Sequence, residues 1–272
     1  MKKYIFLLIF FLLFFNIKCS KLEKPFVIVI PSYNNKYWYQ KNLDSVFRQN
    51  YTNYRVIYID DISSDKTGEL VEQYIIERKQ THRTNLIKNT TRKLALANLY
   101  DAIHSCKPEE IIVCLDGDDM LAHESVLSYL NNIYQNANTW LTYGQYKWYP
   151  YSKDGDWGCI ELPDYVIENN LFRESRYCTS HLRTFYASLF HKIKKEDLLY
   201  EGKFFPMTGD LAMMFPLIEM AGYHSKFISD TLYIYNDASI INDYKTNPTL
   251  QITLDHYIRS QPKYQKLEKL FD

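Results

Sequence analysis

The sequence lacks a charge excess: 32 Lys+Arg stand against 32 Asp+Glu in 272 residues. A general nucleic-acid binder needs a basic surplus to offset phosphates, so neutrality argues against one. Glycine is scarce at 8 residues, which excludes a Gly-rich linker or repeat protein. The five cysteines form no C-x-x-C pair and no zinc spacing. Cys106 and Cys114 fall where buried helix and strand are expected, and a Cys159–Cys178 disulfide is open to the chain without being indicated by the sequence. A long membrane span is also missing. The apolar run Tyr4–Phe15, after Lys2 and Lys3, is shorter than the roughly 20 residues a helix needs to cross a bilayer. It fits the core of a signal peptide or signal anchor over residues 1–20, which would send the chain into the secretory pathway or tether it to a membrane. Basic residues flank both ends of the run, so they do not settle which side the rest would face.

What remains is ordinary globular material, 46% hydrophobic and 24% charged, with 25 tyrosines. From Lys24 onward, apolar runs alternate with amphipathic stretches. Strands are predicted at Phe26–Ile30, Tyr54–Ile59, Leu86–Ile87 and Ile111–Leu115. Helices are predicted at Tyr37–Phe47, Asp65–Arg78, Arg92–Cys106 and Glu124–Tyr134. This βαβαβαβ order implies an α/β fold with a mainly parallel sheet and helices on both faces. The second half is less regular. It offers a strand at Thr139–Trp148, a turn at 153–156 and a loop or short helix over Pro163–Phe172. A helix follows at Leu211–Ala221, kinked by Pro216, and then a strand at Leu232–Tyr235. No linker divides the chain, so residues 21–272 read as one domain whose second half completes a site begun by the first.

Ligands of such sheets bind beyond the carboxyl ends of the strands. Those ends carry Ser32-Tyr33-Asn34, Asp60-Asp61 and Asp116-Gly117-Asp118-Asp119. Carboxylates one residue apart suit a hard cation such as Mn²⁺ or Mg²⁺ that keeps positions open for phosphate oxygens. An EF-hand loop would need a longer ligand series than the residues after Met120 supply. Asn98 falls within an apolar helix stripe, either holding a loop or binding a ligand. Arg92 at a helix start fits a residue drawn to an anion.

Phe26–Asn34, Tyr58–Thr67 and Asp116–Asp119, in that order, resemble the family 2 glycosyltransferases of the GT-A fold. The resemblance covers residues 25–135 and, more loosely, 205–240. It implies a nucleotide-diphosphate-sugar donor, usually a UDP-sugar, a divalent cation, and an acceptor that is a glycan, lipid or protein. Pro31, Tyr33 and Asn34 would lie against the nucleotide. Asp61, rather than Asp60, would contact the base, and Arg92 the donor. Asp116 and Asp118 would form the D-x-D metal site, with Asp119 in support. Asp210, after Thr208-Gly209, stands where the family carries its catalytic base, with Glu219 as the nearest competitor and a helix cap as its bland role. The implied reaction is an inverting single displacement. His181 is either a ligand or structural, and Arg183 is a candidate partner for diphosphate or an anionic acceptor. Trp140, Tyr143, Trp148 and Tyr149 are either a sugar-stacking platform or core. Two further readings stay open: a binding protein that kept the fold without catalysis, and a nucleotidyltransferase. The Gly-rich loop typical of the latter is missing after the first strand.

Overall fold

The structure is a computed structural model and describes residues 22–155, 158–239 and 247–271. The leader expected at 1–20 and Asp156 of the expected turn lie outside the described residues. Among the described residues no helix is long and apolar enough to cross a membrane.

The first half follows the sequence pattern. β1 (Phe26–Ser32), α1 (Tyr39–Phe47), β2 (Tyr54–Asp60), α2 (Thr67–Glu77), β3 (Thr84–Lys88), α3 (Ala95–His104) and β4 (Ile111–Cys114) alternate, and α4 (Val126–Tyr134) follows the short β5 (Met120–Leu121). All seven residues of β1 are buried, because it is parallel to β2 on one side and β4 on the other. It runs through Pro31 to Ser32. Its pairing with β4 ends at Val29 and Cys114, so the N–H that proline lacks is not needed there.

The second half adds β6 (Leu141–Tyr149), α5 (Asp164–Glu168), β7 (Thr184–Tyr186), α6 (Ala187–Phe190), β8 (Leu199–Tyr200) and β9 (Lys203–Phe204). Then come α7 (Gly209–Ala221), β10 (Ser225–Asn236) and α8 (Pro248–Ser260). α7 is unbroken through Pro216. Eight strands form one sheet in the order β3-β2-β1-β4-β7-β6-β10-β5. β3 to β4 are parallel, β7 is antiparallel to both its neighbours, and β6 and β10 are again parallel. The strand order reverses between β1 and β4, where α/β sheets open a crevice. One buried cluster runs through both halves, from Val27 and Leu43 to Phe185, Leu217 and Leu254. Cys159 and Cys178 are not joined in a disulfide.

Candidate active site

A cleft of about 890 Å³ lies over the carboxyl ends of β1, β2 and β4. Pro31, Tyr33, Asp61, Arg92, Asp116 and Asp118 line it, and so does Asp210 from the start of α7. Asn34 does not line it. Its backbone N–H donates to Ser63 Oγ at 2.9 Å and its side-chain oxygen accepts from Ser64 N–H at 2.9 Å, so it locks two loops together.

β2 ends on Asp60 and Asp61 follows it, and the two neighbouring side chains go to opposite sides. Asp60 turns toward α2, where a Cβ added to Gly68 would come within 2.8 Å of its Oδ2. Burial pushes its carboxyl up. Asp61 turns to the cleft and accepts from Asn89 Nδ2 at 2.8 Å, Lys93 N–H at 2.9 Å and Leu94 N–H at 2.8 Å. Burial raises its pKa, but these donors and Asn98 outweigh it, and the net direction is down. Asn98 also accepts from Asn89 Nδ2, so it is part of this loop-holding network and lines the cleft as well.

The helix expected from Arg92 begins only at Ala95. Leu94 interrupts it with φ 72° and ψ 167°, a conformation almost confined to glycine, and its N–H is bound to Asp61. Arg92 is therefore a loop residue. Its Nε pairs with Asp61 Oδ2 at 3.0 Å and its guanidinium lies 3.2 Å from the centre of the Tyr33 ring. One arginine thus joins the loops after β1 and β2.

The acidic loop after β4 is pinned from three sides. Gly117 packs against β1, and a Cβ there would lie 2.6 Å from Ser32 Oγ. Asn42 of α1 donates to the carbonyls of Asp116 at 2.9 Å and Asp119 at 2.8 Å. Tyr233 Oη donates to Asp119 Oδ2 at 2.5 Å, and Asn236 N–H donates to its Oδ1 at 2.7 Å. Burial, then the charges of Asp118 and Asp116, push the Asp119 carboxyl well up. Burial also raises Asp118, opposed by a hydrogen bond from Ser239.

Among the described residues no three His, Cys, Asp or Glu side chains are grouped to enclose a metal. Asp119 is tied to β10, and Asp116 and Asp118 line the cleft beside it. Two carboxylates fit Mg²⁺ or Mn²⁺ completing its shell with phosphate oxygens and water, rather than an ion caged by protein alone.

Asp210 sits in the first turn of α7, and its Oδ2 accepts from Arg183 Nη2 at 2.9 Å. Arg183 also donates from Nε to the carbonyl of Thr179 at 3.1 Å. Although burial opposes it, Tyr177, Asp210, Asp116 and Tyr233 raise the Arg183 pKa, so it stays cationic. Glu219, the competitor for the base, is buried on the far side of α7. Arg173 grips it through two bonds of 2.5 and 2.9 Å, and it does not line the cleft. His181 lines the cleft, buried against Tyr233 with ring centroids 4.3 Å apart, and burial lowers its pKa well below the usual value. Trp140 and Tyr143 are core, whereas Trp148 lines the cleft. Tyr149 lies outside it against Trp38 and Lys41. The sequence reading missed Tyr146 as a lining residue and gave Tyr233, Tyr235 and Asn236 no chemistry. The strand-like alternation of Tyr146 with Trp148 and of Tyr233 with Tyr235 was the available signal.

A family model described as Glycosyl transferase family 2 matches residues 27–194. Glycosyltransferase GlyG of Streptococcus pneumoniae serotype 4 is 24% identical over 218 residues, 78% of this chain and 70% of that protein. An uncharacterized glycosyltransferase of Haemophilus influenzae is 29% identical over 119 residues, 44% of this chain and 46% of its own. Among solved structures, S. aureus TarS 1–349 in complex with UDP matches with a TM-score of 0.60 at 16% identity. That match covers 78% of this chain and 60% of TarS 1–349. Mannosyltransferase PcManGT from Pyrobaculum calidifontis, in complex with GDP-Man and Mn²⁺, matches with a TM-score of 0.56 at 16% identity, over 89% of this chain and 66% of its own. The fold is of the GT-A type.

Proposed function

The chain belongs to glycosyl transferase family 2, and from that premise we propose that it is an inverting transferase, moving a sugar from a nucleotide-diphosphate sugar to an acceptor hydroxyl. The observation that carries this reading is the order of groups along one cleft. Across the sheet order, Arg92, Asp61 and Tyr33 stand in the loops after β3, β2 and β1, Asp116 and Asp118 after β4, and the Arg183–Asp210 pair beside β7.

In this reading Tyr33 and Arg92 hold the nucleotide end, and the pinned Asp61 faces the base. Asp116 and Asp118 hold the cation that accompanies the diphosphate. When bound, that Mn²⁺ or Mg²⁺ supplies charge neutralisation for the leaving group. Asp210 takes the proton of the acceptor hydroxyl. The acceptor oxygen then forms a bond to the anomeric carbon while the bond from that carbon to diphosphate breaks. Its electron pair departs on the nucleoside diphosphate. One in-line displacement inverts the configuration and leaves no sugar on the enzyme. Arg183 positions Asp210 through Oδ2.

A UDP-sugar is the first candidate donor, in keeping with the sequence motifs and with TarS, whose structures hold UDP and UDP-GlcNAc. GDP is the second arm of the test because PcManGT holds GDP-Man. The experiment is thermal unfolding of the full chain with UDP, GDP or CMP, each with and without Mn²⁺. A ligand that binds only the folded state at 100 times its Kd stabilises it by about 2.7 kcal/mol. The expected result is a higher Tm with one nucleotide, dependent on Mn²⁺, and slow hydrolysis of the matching donor. No shift with any nucleotide overturns the reading in favour of a GT-A fold without catalysis.

A further inference from the structure

The donor chemistry uses one side of the cleft, and the other side is aromatic. Thr142 of β6 lies level with Thr184 of β7, which lies level with Val113 of β4. The rest of β6, Tyr143–Tyr149, therefore continues past the edge where β4 gives way to the acidic loop. Beyond that edge Tyr146 and Trp148 alternate onto one face, opposite Tyr233 and Tyr235 of β10. The Trp148 and Tyr235 rings are 5.0 Å apart at 78°, and those of Tyr146 and Trp148 are 5.3 Å apart at 71°. His181 stands edge-on to Tyr146 at 5.8 Å. Gly155 is packed so close to Tyr146 that a Cβ there would lie 2.5 Å from the ring. One face of Tyr146 is thus covered, while Trp148 and Tyr235 are half-buried and keep surface for a ligand.

Building on the glycosyltransferase reading, we propose that this wall is the acceptor subsite and that the acceptor hydroxyl belongs to a saccharide seated on Trp148 and Tyr235. Position is the first argument. Across the sheet order the nucleotide residues stand at β2 and β1, the acids at β4, the Arg183–Asp210 pair beside β7, and the wall at β6 and β10. A group on the wall reaches Asp210 from the side away from the nucleotide, as in-line attack requires.

Chemistry is the second. A pyranose offers a flat C–H face with a polar rim, which matches rigid aromatic rings with polar tips. Ser180, fully buried, lines the same cleft, and its hydroxyl has no hydrogen-bond partner among the described residues. A sugar hydroxyl supplies one. Gln251 and Asp255 of α8, the latter paired with Arg259, add further polar groups to this space, which suit a sugar's hydroxyls better than an acyl chain. A peptide would seek an open strand edge. Here Trp148 N–H donates to Lys153 O and Gly155 N–H donates to Tyr146 O, both at 2.7 Å, so the outer edge of β6 is taken.

The test uses the full chain with Mn²⁺ and whichever nucleotide raises its Tm. Saturation-transfer NMR is run with methyl glycosides of glucose, galactose, mannose and N-acetylglucosamine, with dodecyl phosphate as the lipid arm and a Ser/Thr peptide as the protein arm. The expected result is binding of at least one glycoside, weakened about tenfold by Trp148→Ala and much less by Trp148→Phe. The nucleotide-induced Tm shift, the same in both variants, reports that they are folded. Should Trp148→Ala fail to fold, Tyr235→Leu takes its place with the same expected loss. The proposal is overturned if glycosides bind the substituted wall as well as the native one, if only the lipid or peptide binds, or if nothing binds while nucleotide does. A wild type that binds no nucleotide fails the donor reading first, and this proposal falls with it.

Discussion

Tyr233 and Asp119, 114 residues apart, are joined by a hydrogen bond of 2.5 Å from the phenol to the carboxylate. Asn236 N–H holds the second carboxylate oxygen. The third acid of the loop is therefore a tie to β10, and the two acids before it line the cleft. Tyr233→Phe leaves a fully buried acceptor with one donor fewer. The expected cost is about 1–3 kcal/mol of stability, read as a lower urea midpoint. A weaker Mn²⁺-dependent nucleotide shift should accompany it, because the loop carrying Asp116 and Asp118 loses an anchor.

Asp210→Asn removes a basic oxygen while keeping shape and the capacity to accept from Arg183. Transfer should fall by roughly 10²–10⁴-fold. The Tm shift with nucleotide and Mn²⁺ should stay at its wild-type size. A variant that keeps its rate would move the base elsewhere along the cleft.

Glu219→Gln should fail in a different way. The Arg173–Glu219 pair is almost wholly buried, with side chains 3% and 0% exposed. Arg173 also donates to the carbonyls of Ile258 and Gln261, so it fastens the end of α8 to α7. Removing the carboxylate charge leaves a buried guanidinium without its counter-ion, at a cost of about 3–5 kcal/mol. Chemical denaturation should register that loss, while donor hydrolysis per folded molecule stays near wild type.

His181 gives the pH dependence a direction. Burial first, and then Arg183, depress its pKa in the folded protein. The unfolded chain takes up the proton at an ordinary histidine value near 6.5. As pH falls below that value the unfolded state binds more protons, and stability drops until the folded pKa is reached. Asp118 and Asp119, raised by burial, act with the opposite sign as pH falls through their raised folded values toward the ordinary carboxylate value. The difference between wild type and His181→Phe isolates the histidine. Urea midpoints at pH 7.5 and 5.5 should diverge more for wild type than for the variant.

Much of the first half was legible because parallel strands buried on both faces read as unbroken apolar runs, as Phe26–Ile30 does. The helices between them carry a 3.6-residue stripe. The acids at the strand ends stood out for the same reason, as charges closing apolar runs. Elements of two or three residues, such as β7, β8 and β9, are too short to show a period. α8 did carry a signal that went unread, Asn247 capping Leu250 N–H with Pro248 in the first turn. The division of labour within acid pairs was hidden. That Asp60 serves α2 and Asp61 the cleft, or that Asp119 serves β10, depends on partners distant in sequence. The motif points Asn34 at the nucleotide, whereas its amide oxygen accepts from Ser64 N–H.

The reversal of strand order between β1 and β4 has a consequence for how such a chain can change. On the proposed reading, everything that handles the nucleotide lies between Pro31 and Asp118, and everything that meets the acceptor lies between Tyr146 and Asp255. The seam at α4 separates them along the polypeptide, although β5 of the first half reaches across to pair with β10 of the second. A chimera crossed over at α4 would take its donor from one parent and its acceptor from the other. Its second half would have to bring a β10 able to hold the first half's Asp119.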